Sequence, residues 1–347
     1  MTYKEIAKQL NISPTSLSLI LNNKPGVSDN TRTTVLGKIK EMGLEHLIKK
    51  APPIAISNNL CFLIYKRHGK ILDLHPFFLL LMENIENQAR KFGYNILLYT
   101  IDKRRPIKPQ ITHLNELDIK GIILFGTEML DDDMEAFSSF PVPYVVMDND
   151  LTRLTCNTIS INNQMGTYQA IEYLVQLNHK KIGYLKSRIR INSFKERHLG
   201  YENALMHFGL HFADEDILVV SYTEEGSYRD LLHYLKSTPS PVLPSAFVCD
   251  DDTIAIGAMQ ALKEQGYKIP EDISIIGFND RPSCENMLPP LTSINVSKYS
   301  LAAETVSELI RLIQNQEDTA FETRSRKIRI GTRLIVRNST SKRFSPD

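Results

Sequence analysis

The chain has 347 residues, 42% of them hydrophobic and 23% charged. That composition fits an ordinary globular protein, and the length predicts two or three domains rather than one core. With 41 Lys/Arg against 40 Asp/Glu the net charge is +1, which excludes a polycation that coats nucleic acid along its whole surface. The balance is uneven, however. Residues 1–50 hold eight Lys/Arg and four Asp/Glu, so a small basic head precedes a mildly acidic body. Such a head is a local electrostatic footprint for a polyanion. Cys61, Cys156, Cys249 and Cys284 lie far apart in no CxxC or Cys/His pattern and read as buried free thiols. The N-terminus has no apolar leader, and the longest apolar run, Phe77 to Met82, is far too short to span a bilayer. A soluble, cytoplasmic protein with no membrane partner is expected.

In chain order, Tyr3–Leu10 predicts a first helix with Ile6, Ala7 and Leu10 on one face. Asn11-Ile12-Ser13 is a tight connection in which Asn11 tolerates the left-handed backbone region. Ser13 as N-cap and Pro14 at the first helical position start a second helix, whose Leu17, Ile20 and Leu21 form a buried stripe. Its opposite face carries Thr15, Ser16, Ser18, Leu19 and Asn22, small polar groups suited to a groove in DNA. A third helix starts near Ser28 or Asp29, turns Val35, Ile39 and Met42 inward and stops at Gly43. Together these make a helix-turn-helix unit, 1–46, with a generic three-helix cap as the alternative. Lys49-Lys50 and Pro52-Pro53 mark 47–59 as a linker.

From residue 60 to 347 the rhythm becomes βα. Strands are expected at Leu60–Tyr65, Asn95–Thr100, Gly121–Phe125, Pro143–Met147, Lys181–Leu185, Ala246–Cys249 and Ile273–Gly277. Helices are expected at Pro76–Phe92, Gln164–Gln176, Lys195–Phe208, Ser227–Leu235, Thr253–Gln265 and Leu301–Gln314, with a weak one after Thr100. About ten strands are too many for one compact sheet, so the α/β body divides into two doubly wound, parallel-sheet lobes. A ligand would sit beyond the carboxyl ends of the strands, in a cleft between the lobes.

Catalytic signatures are missing. No GxGxxG follows a strand, and there is no GxxxxGK[ST], HExxH or GxSxG. Neither His68/His75 nor His207/His211 has a carboxylate or thiol at metal-ligand spacing, and no metal, cofactor or catalytic residue is expected. Asp131-Asp132-Asp133 reads as the acidic start of a helical segment. Asp250-Asp251-Asp252 follows a strand and opens a helix, which fits an N-cap and a ligand contact equally.

Several ordered motifs resemble the lactose-repressor (LacI/GalR) family. Thr2-Tyr3-Lys4-Glu5-Ile6-Ala7, Ser13 through Asn22 and Val27 through Arg32 are similar to its DNA-binding head. His75-Pro76-Phe77-Phe78, Gly121-Ile122-Ile123-Leu124, Arg197-His198-Leu199-Gly200-Tyr201, Ala255-Ile256-Gly257-Ala258, Pro270 through Phe278 and Pro289 through Ile294 extend the likeness over nearly the whole chain. The resemblance implies a periplasmic-binding-protein-like body and a repressor that binds a palindromic double-stranded DNA operator as a homodimer. It also implies control by a small-molecule effector, a sugar or sugar phosphate, in the interlobe cleft.

Position by position, the resemblance implies that Thr2, Tyr3, Ser13, Ser16, Ser18, Asn22, Ser28 and Thr31 contact phosphates or brace the head, and that Pro14, Thr15 and Leu19 read bases. The family commonly has arginine where this chain has Leu19. Leucine offers only apolar contact, such as to a thymine methyl, or is simply an exposed leucine. The family's hinge helix carries a leucine that wedges into the minor groove, and here Pro53 stands at that position. Either the hinge is an extended linker, or Ile54 or Ile56 supplies the wedge in a shifted helix. In the body, Arg197 is implied as the effector clamp, because a guanidinium forks onto a carboxylate, a phosphate or vicinal hydroxyls. Asn279 replaces the family's usual aspartate, and Asp280 is placed to compensate. Asp148 and Asp251 are further polar candidates, and Phe77, Phe78 and Tyr222 form either a ring platform or plain core. The polar C-terminus after Val336 carries no heptad repeat and so no tetramerising coil. A two-lobed solute-binding protein and a sugar-modifying enzyme are the competing classes; the head argues against the first and the missing catalytic groups against the second.

Overall fold

The computed structural model describes residues 3–22, 24, 26–48, 58–72, 77–137, 140–239, 241–316 and 324–343. The chain forms two compact units, Met1–Ser57 and Asn58–Asp347.

The first unit is all-α: α1 (Tyr3–Gln9), α2 (Pro14–Leu21) and α3 (Asp29–Glu41), followed by a single 3-10 turn at Glu45–Leu47. Asn11 takes φ +55° between α1 and α2, as the three-residue connection requires. Ser13 and Ser28 cap the second and third helices by accepting from the amides of Ser16 (2.9 Å) and Thr31 (3.3 Å). Ile6, Ala7, Leu10, Leu17, Ile20, Leu21, Val35 and Ile39 fill a small core, with Met42 half-buried at its margin. The pattern read from spacing is therefore the pattern buried.

The second unit contains β1 (Asn59–Lys66), α4 (Phe77–Lys91), β2 (Asn95–Asp102), α5 (Ile107–Asn115), β3 (Gly121–Phe125), β4 (Tyr144–Met147), β5 (Thr158–Ile161) and α6 (Asn163–Gln176). It continues with β6 (Ile182–Ser187), α7 (Asn192–His207), β7 (Ile217–Val220), α8 (Glu224–Ser237), β8 (Ala246–Cys249), α9 (Asp252–Glu264), β9 (Ser274–Asn279), β10 (Thr292–Val296), α10 (Lys298–Gln314), β11 (Lys327–Ile330) and β12 (Thr332–Ile335). Two six-stranded sheets result, ordered β11-β5-β4-β3-β1-β2 and β12-β10-β9-β8-β6-β7. The first is wholly parallel, and in the second only β12 runs antiparallel, against β10.

The lobes are not successive in sequence. The chain passes from the first sheet to the second after β5, returns after β10 so that α10 packs on α4 and β3–β5, and crosses again between β11 and β12. The second and third crossings were not legible in the sequence. Strands β5, β10, β11 and β12 are four or five residues long, and β11 and β12 alternate charged or polar with apolar residues, Lys327-Ile328-Arg329-Ile330 and Thr332-Arg333-Leu334-Ile335. The aspartate run at 131–133 opens a 3-10 segment, Asp131–Phe137, rather than an α-helix. Asp133 is buried there between Arg67 (2.6 Å) and Lys103, so this carboxylate is an ion-pair hub more than a helix start. The four cysteines are free and buried.

Candidate functional site

The cleft lies between the carboxyl ends of the two sets of strands, as open parallel sheets dictate. One wall comes from the first lobe: Ile71 and Leu72 after β1, Phe125 and Thr127 at the end of β3, Asp148 after β4 and Ile161 at the end of β5. The other wall is Ile191, Ser193, Phe194 and Arg197 at the start of α7, Tyr222 after β7, Asp251 after β8 and Asn279 at the end of β9. The cavity between these walls has a volume of about 40 Å³ and opens to solvent.

Arg197 stands at the centre and is 3% exposed. Its Nε donates to Asn163 Oδ1 (2.9 Å), one terminal nitrogen to the Asp250 carbonyl (2.5 Å) and the other to Asn279 Oδ1 (3.3 Å). The guanidinium lies 3.7 Å from the centroid of the Phe278 ring, a cation–π contact in a buried setting. Three of its five N–H groups are thus held by protein acceptors, which fixes its plane and leaves two for a guest. The approach of α7 depends on Gly200, because a Cβ there would lie 2.8 Å from Gln164 Cα on α6. The Arg197-to-Gly200 spacing therefore packs the helix and aims the cation with one short motif.

Asn279 explains its own departure from aspartate. Its amide oxygen accepts from Arg197 while its Nδ2 donates to Asp251 Oδ2 at 2.5 Å. A carboxylate at 279 would face a second carboxylate. Asp251 also accepts from the Thr253 amide (2.7 Å), so it is the N-cap of α9 and also lines the cleft. The two flanking aspartates are structural. Asp250 accepts from Tyr184 Oη and the Ser187 amide, both at 2.6 Å, and pairs with Arg190. Burial raises its pKa, against the pull of Arg190. Asp252 accepts from Ser293 Oγ (2.6 Å) and the Arg281 amide (2.9 Å), and burial together with the charge of Asp251 pushes its carboxyl up to about 7.

Asp148 accepts from Thr127 Oγ1 (2.6 Å) on the first-lobe wall, with a backbone φ of +63°. Tyr222 packs its ring 5.7 Å from that of Phe194, and burial drives its hydroxyl pKa far upward. Asp280 is the one described effector candidate that the structure does not bring to the cleft. It has turned to Arg337 (2.8 Å) and Asn295 (2.9 Å), locking β9 to β10 and the chain after β12. It therefore does not compensate for Asn279. The side chains of Phe77 and Phe78 lie outside the described residues.

Residue-by-residue sequence reading missed the first-lobe loop and its fastening. Glu128 is 1% exposed, and its carboxylate accepts five backbone amides: Arg67 (3.0 Å), His68 (3.0 Å) and Gly69 (2.8 Å) on one oxygen, Ile71 (2.9 Å) and Leu72 (3.3 Å) on the other. Only its position three residues beyond the end of β3 hinted at it. Phe194, three residues before Arg197 on the same helix face, was the more legible omission. Across the lobes, Asn192 donates to Asn149 (3.0 Å) and Arg329 pairs with Glu196 (3.1 Å) as well as with Asp150. Among the described residues no cluster of three or more His, Cys, Asp or Glu is placed to hold a metal ion. No described helix is long and apolar enough to cross a membrane.

In the first unit, Pro14, Thr15 and Ser18 are exposed along α2, Ser13 and Thr31 are exposed beside it, and Ser16, Leu19 and Asn22 are half-buried. Ser28 is exposed as the cap of α3. Thr2 and the Tyr3 side chain lie outside the described residues, as do Pro52, Pro53, Ile54 and Ile56, on which the hinge alternatives turn.

A helix-turn-helix unit, a motif that docks on DNA in other proteins, here shares one chain with a two-lobed, cleft-bearing α/β body. Residues 171–340 match the model of a periplasmic binding protein-like domain. The chain is 29% identical over 345 residues to the HTH-type transcriptional repressor PurR of Mannheimia succiniciproducens, covering 98% of this chain and 99% of that one. It is 29% identical over 322 residues to the ribose operon repressor of Haemophilus influenzae, covering 91% and 93%. The solved structure of a transcriptional regulator CelR–cellobiose complex shares the fold, with a TM-score of 0.70 at 22% identity over 98% of this chain and 99% of that one. Over nearly its whole length the chain is thus similar to transcriptional repressors, and half of it is similar to a periplasmic binding protein-like domain.

Proposed function

We propose that the protein is a repressor that binds a palindromic operator as a homodimer and is controlled by a small neutral, hydroxyl-rich effector held in the interlobe cleft. The observation that carries the effector site is Arg197: a buried guanidinium, fixed by three protein acceptors, in a cleft whose two walls belong to different lobes. A guest that engages the remaining N–H groups of Arg197 and the polar groups of Asp148 and Thr127 touches both lobes, so its binding energy differs between open and closed states. That difference is what a ligand needs in order to shift a conformational equilibrium, typically by ~1–3 kcal/mol. Two lining carboxylates, Asp148 and Asp251, stand against one lining cation, which disfavours a phosphate ester and favours an unphosphorylated sugar. The CelR structure is a complex with such a sugar, cellobiose. Phe194 and Tyr222 offer the apolar faces that a sugar ring covers.

The DNA-binding residues are proposed to be Ser13, Pro14, Thr15, Ser16, Ser18, Leu19, Asn22, Ser28 and Thr31, on and around the second helix of the head. Homodimerisation is supported by the exposed apolar residues Leu80 on α4 and Leu98 on the neighbouring edge strand β2. Two heads in a twofold-symmetric pair would read half-sites one or more helical turns apart.

Gel shifts with the full chain, on duplexes from upstream of its own gene and with or without a panel of neutral sugars, test the reading. Binding to such a duplex, relieved by one sugar, is expected. Arg197→Ala should abolish the sugar response and leave operator affinity within a few-fold of wild type. Equal loss of both in a folded variant refutes the clamp, and failure to bind any duplex above non-specific levels refutes the regulator mechanism.

A further inference from the structure

We infer that α2 recognises thymine methyl groups, so that the operator half-site carries A·T pairs, rather than an obligatory guanine, where this helix lies in the major groove. The inference rests on the reading of the head as a DNA-binding unit. Helix α2, Pro-Thr-Ser-Leu-Ser-Leu-Ile-Leu, contains no ionisable side chain and no amide. Guanine is read bidentately by arginine or lysine, and adenine by asparagine or glutamine; neither instrument is present on this helix.

The polar groups around it are tied into the helix frame. Ser13 Oγ accepts from the Ser16 amide and lies 2.9 Å from Ser16 Oγ. Asn22, just past the last turn, spends its Nδ2 on the Ser18 carbonyl (2.8 Å) and Ser18 Oγ (3.3 Å). These contacts favour roles in framing the helix and meeting phosphates.

Exposed Thr15 and half-buried Leu19 remain, four residues apart and so stacked on one helix face. Leu19 is held from behind. A Cβ at Gly26 would lie 3.2 Å from Leu19 Cδ1, and Gly26 has a φ of +117° that other residues rarely adopt. The amide of Lys24 closes the same turn on the Leu19 carbonyl at 2.8 Å. The leucine is therefore a positioned group, and with the Thr15 methyl it makes an apolar strip. The C5 methyl of thymine is the apolar group that the major-groove edge offers to such a strip. Exposed Lys4, Lys8, Lys24, Lys38 and Lys40 surround the unit and supply charge toward phosphates, which gives affinity without sequence information.

The test uses the full-length protein and a randomised duplex library, followed by binding titrations on the enriched site with each thymine replaced in turn by deoxyuridine. Enrichment of A·T pairs is expected, with at least one thymine whose replacement weakens binding about fourfold, the effect of one buried methyl. That penalty should vanish in Leu19→Ala or in Thr15→Ser, which keeps its hydroxyl. Leu19→Arg should move the preference toward guanine. An enriched site indifferent to every deoxyuridine replacement overturns the inference and leaves DNA binding intact; this arm uses wild-type protein and does not depend on any variant folding. A Leu19→Ala protein that loses affinity equally for thymine and deoxyuridine sites assigns Leu19 to packing and also overturns it. A library in which no sequence is enriched removes the DNA-reading assignment itself, and the inference with it.

Discussion

Replacing Glu128 by glutamine changes one oxygen into an NH₂ group and almost nothing in shape, yet it acts on the carboxylate that accepts from five amides of the 67–72 loop. Glutamine can satisfy one set with its remaining oxygen. If that set is Arg67, His68 and Gly69, the amides of Ile71 and Leu72 face N–H groups instead of a carboxylate. Two hydrogen bonds to a charged acceptor are then lost, at ~1.5–3 kcal/mol each, or roughly 3–6 kcal/mol in favour of opening the loop. Local opening of that size accelerates amide exchange by about a hundredfold or more. Hydrogen–deuterium exchange on a peptide spanning 66–72 reads it directly, with β3 peptides as an internal reference. Because Ile71 and Leu72 line the cleft, affinity for any cleft ligand should fall in parallel. Unchanged exchange at 67–72 in a folded variant would refute the latch. So would uniform acceleration through the whole body, which would make Glu128 a general stabiliser.

Two further outcomes follow from the aspartates around α9. Asn279→Asp sets a carboxylate against Asp251 in a buried site, at a cost of ~3 kcal/mol near neutral pH. The new acid would have a raised pKa, so the deficit should shrink as pH falls and it takes up a proton; a melting temperature equal to wild type at pH 8 would contradict this. Asp252 titrates near 7 in the folded protein, against about 3.9 when unfolded. The native state thus binds a proton that the unfolded chain has already lost, and this contribution to stability is full below about pH 4 and disappears as pH rises toward 7. Asp252→Asn should flatten the corresponding part of the melting profile between pH 4.5 and 7.5, whereas parallel profiles would show that Asp252 does not titrate there.

What could be seen in the sequence was what repeats along it. The head was legible residue by residue, since Ser13, Pro14, Leu17, Ile20 and Leu21 obey local rules of capping and helical spacing that no distant contact overrides. The long helices and the central strands β1, β3 and β8 were legible as unbroken apolar runs. Edge strands β11 and β12 were not, because a strand buried on one side only, and four residues long, carries too few apolar positions to separate it from a loop. Of the site candidates, Arg197, Asp148, Tyr222, Asp251 and Asn279 meet in one cleft. Asp280 was misplaced because its partner, Arg337, arrives from the far end of the chain. Glu128 was invisible for a related reason: its function is to collect backbone amides, which leave no mark on residue type.

The triple passage of the chain between the lobes has a consequence for synthesis. The first lobe begins at β1 but lacks its edge strand β11, and the helix α10 that covers β3–β5, until synthesis has passed Ile330. The second lobe waits equally for β12. The head, built from about forty residues in sequence, has no such dependence and can fold while the rest is still on the ribosome. The small basic unit is thus complete in the nascent chain long before either lobe of the body, and the two lobes become complete almost together, once β11 and β12 have both been made.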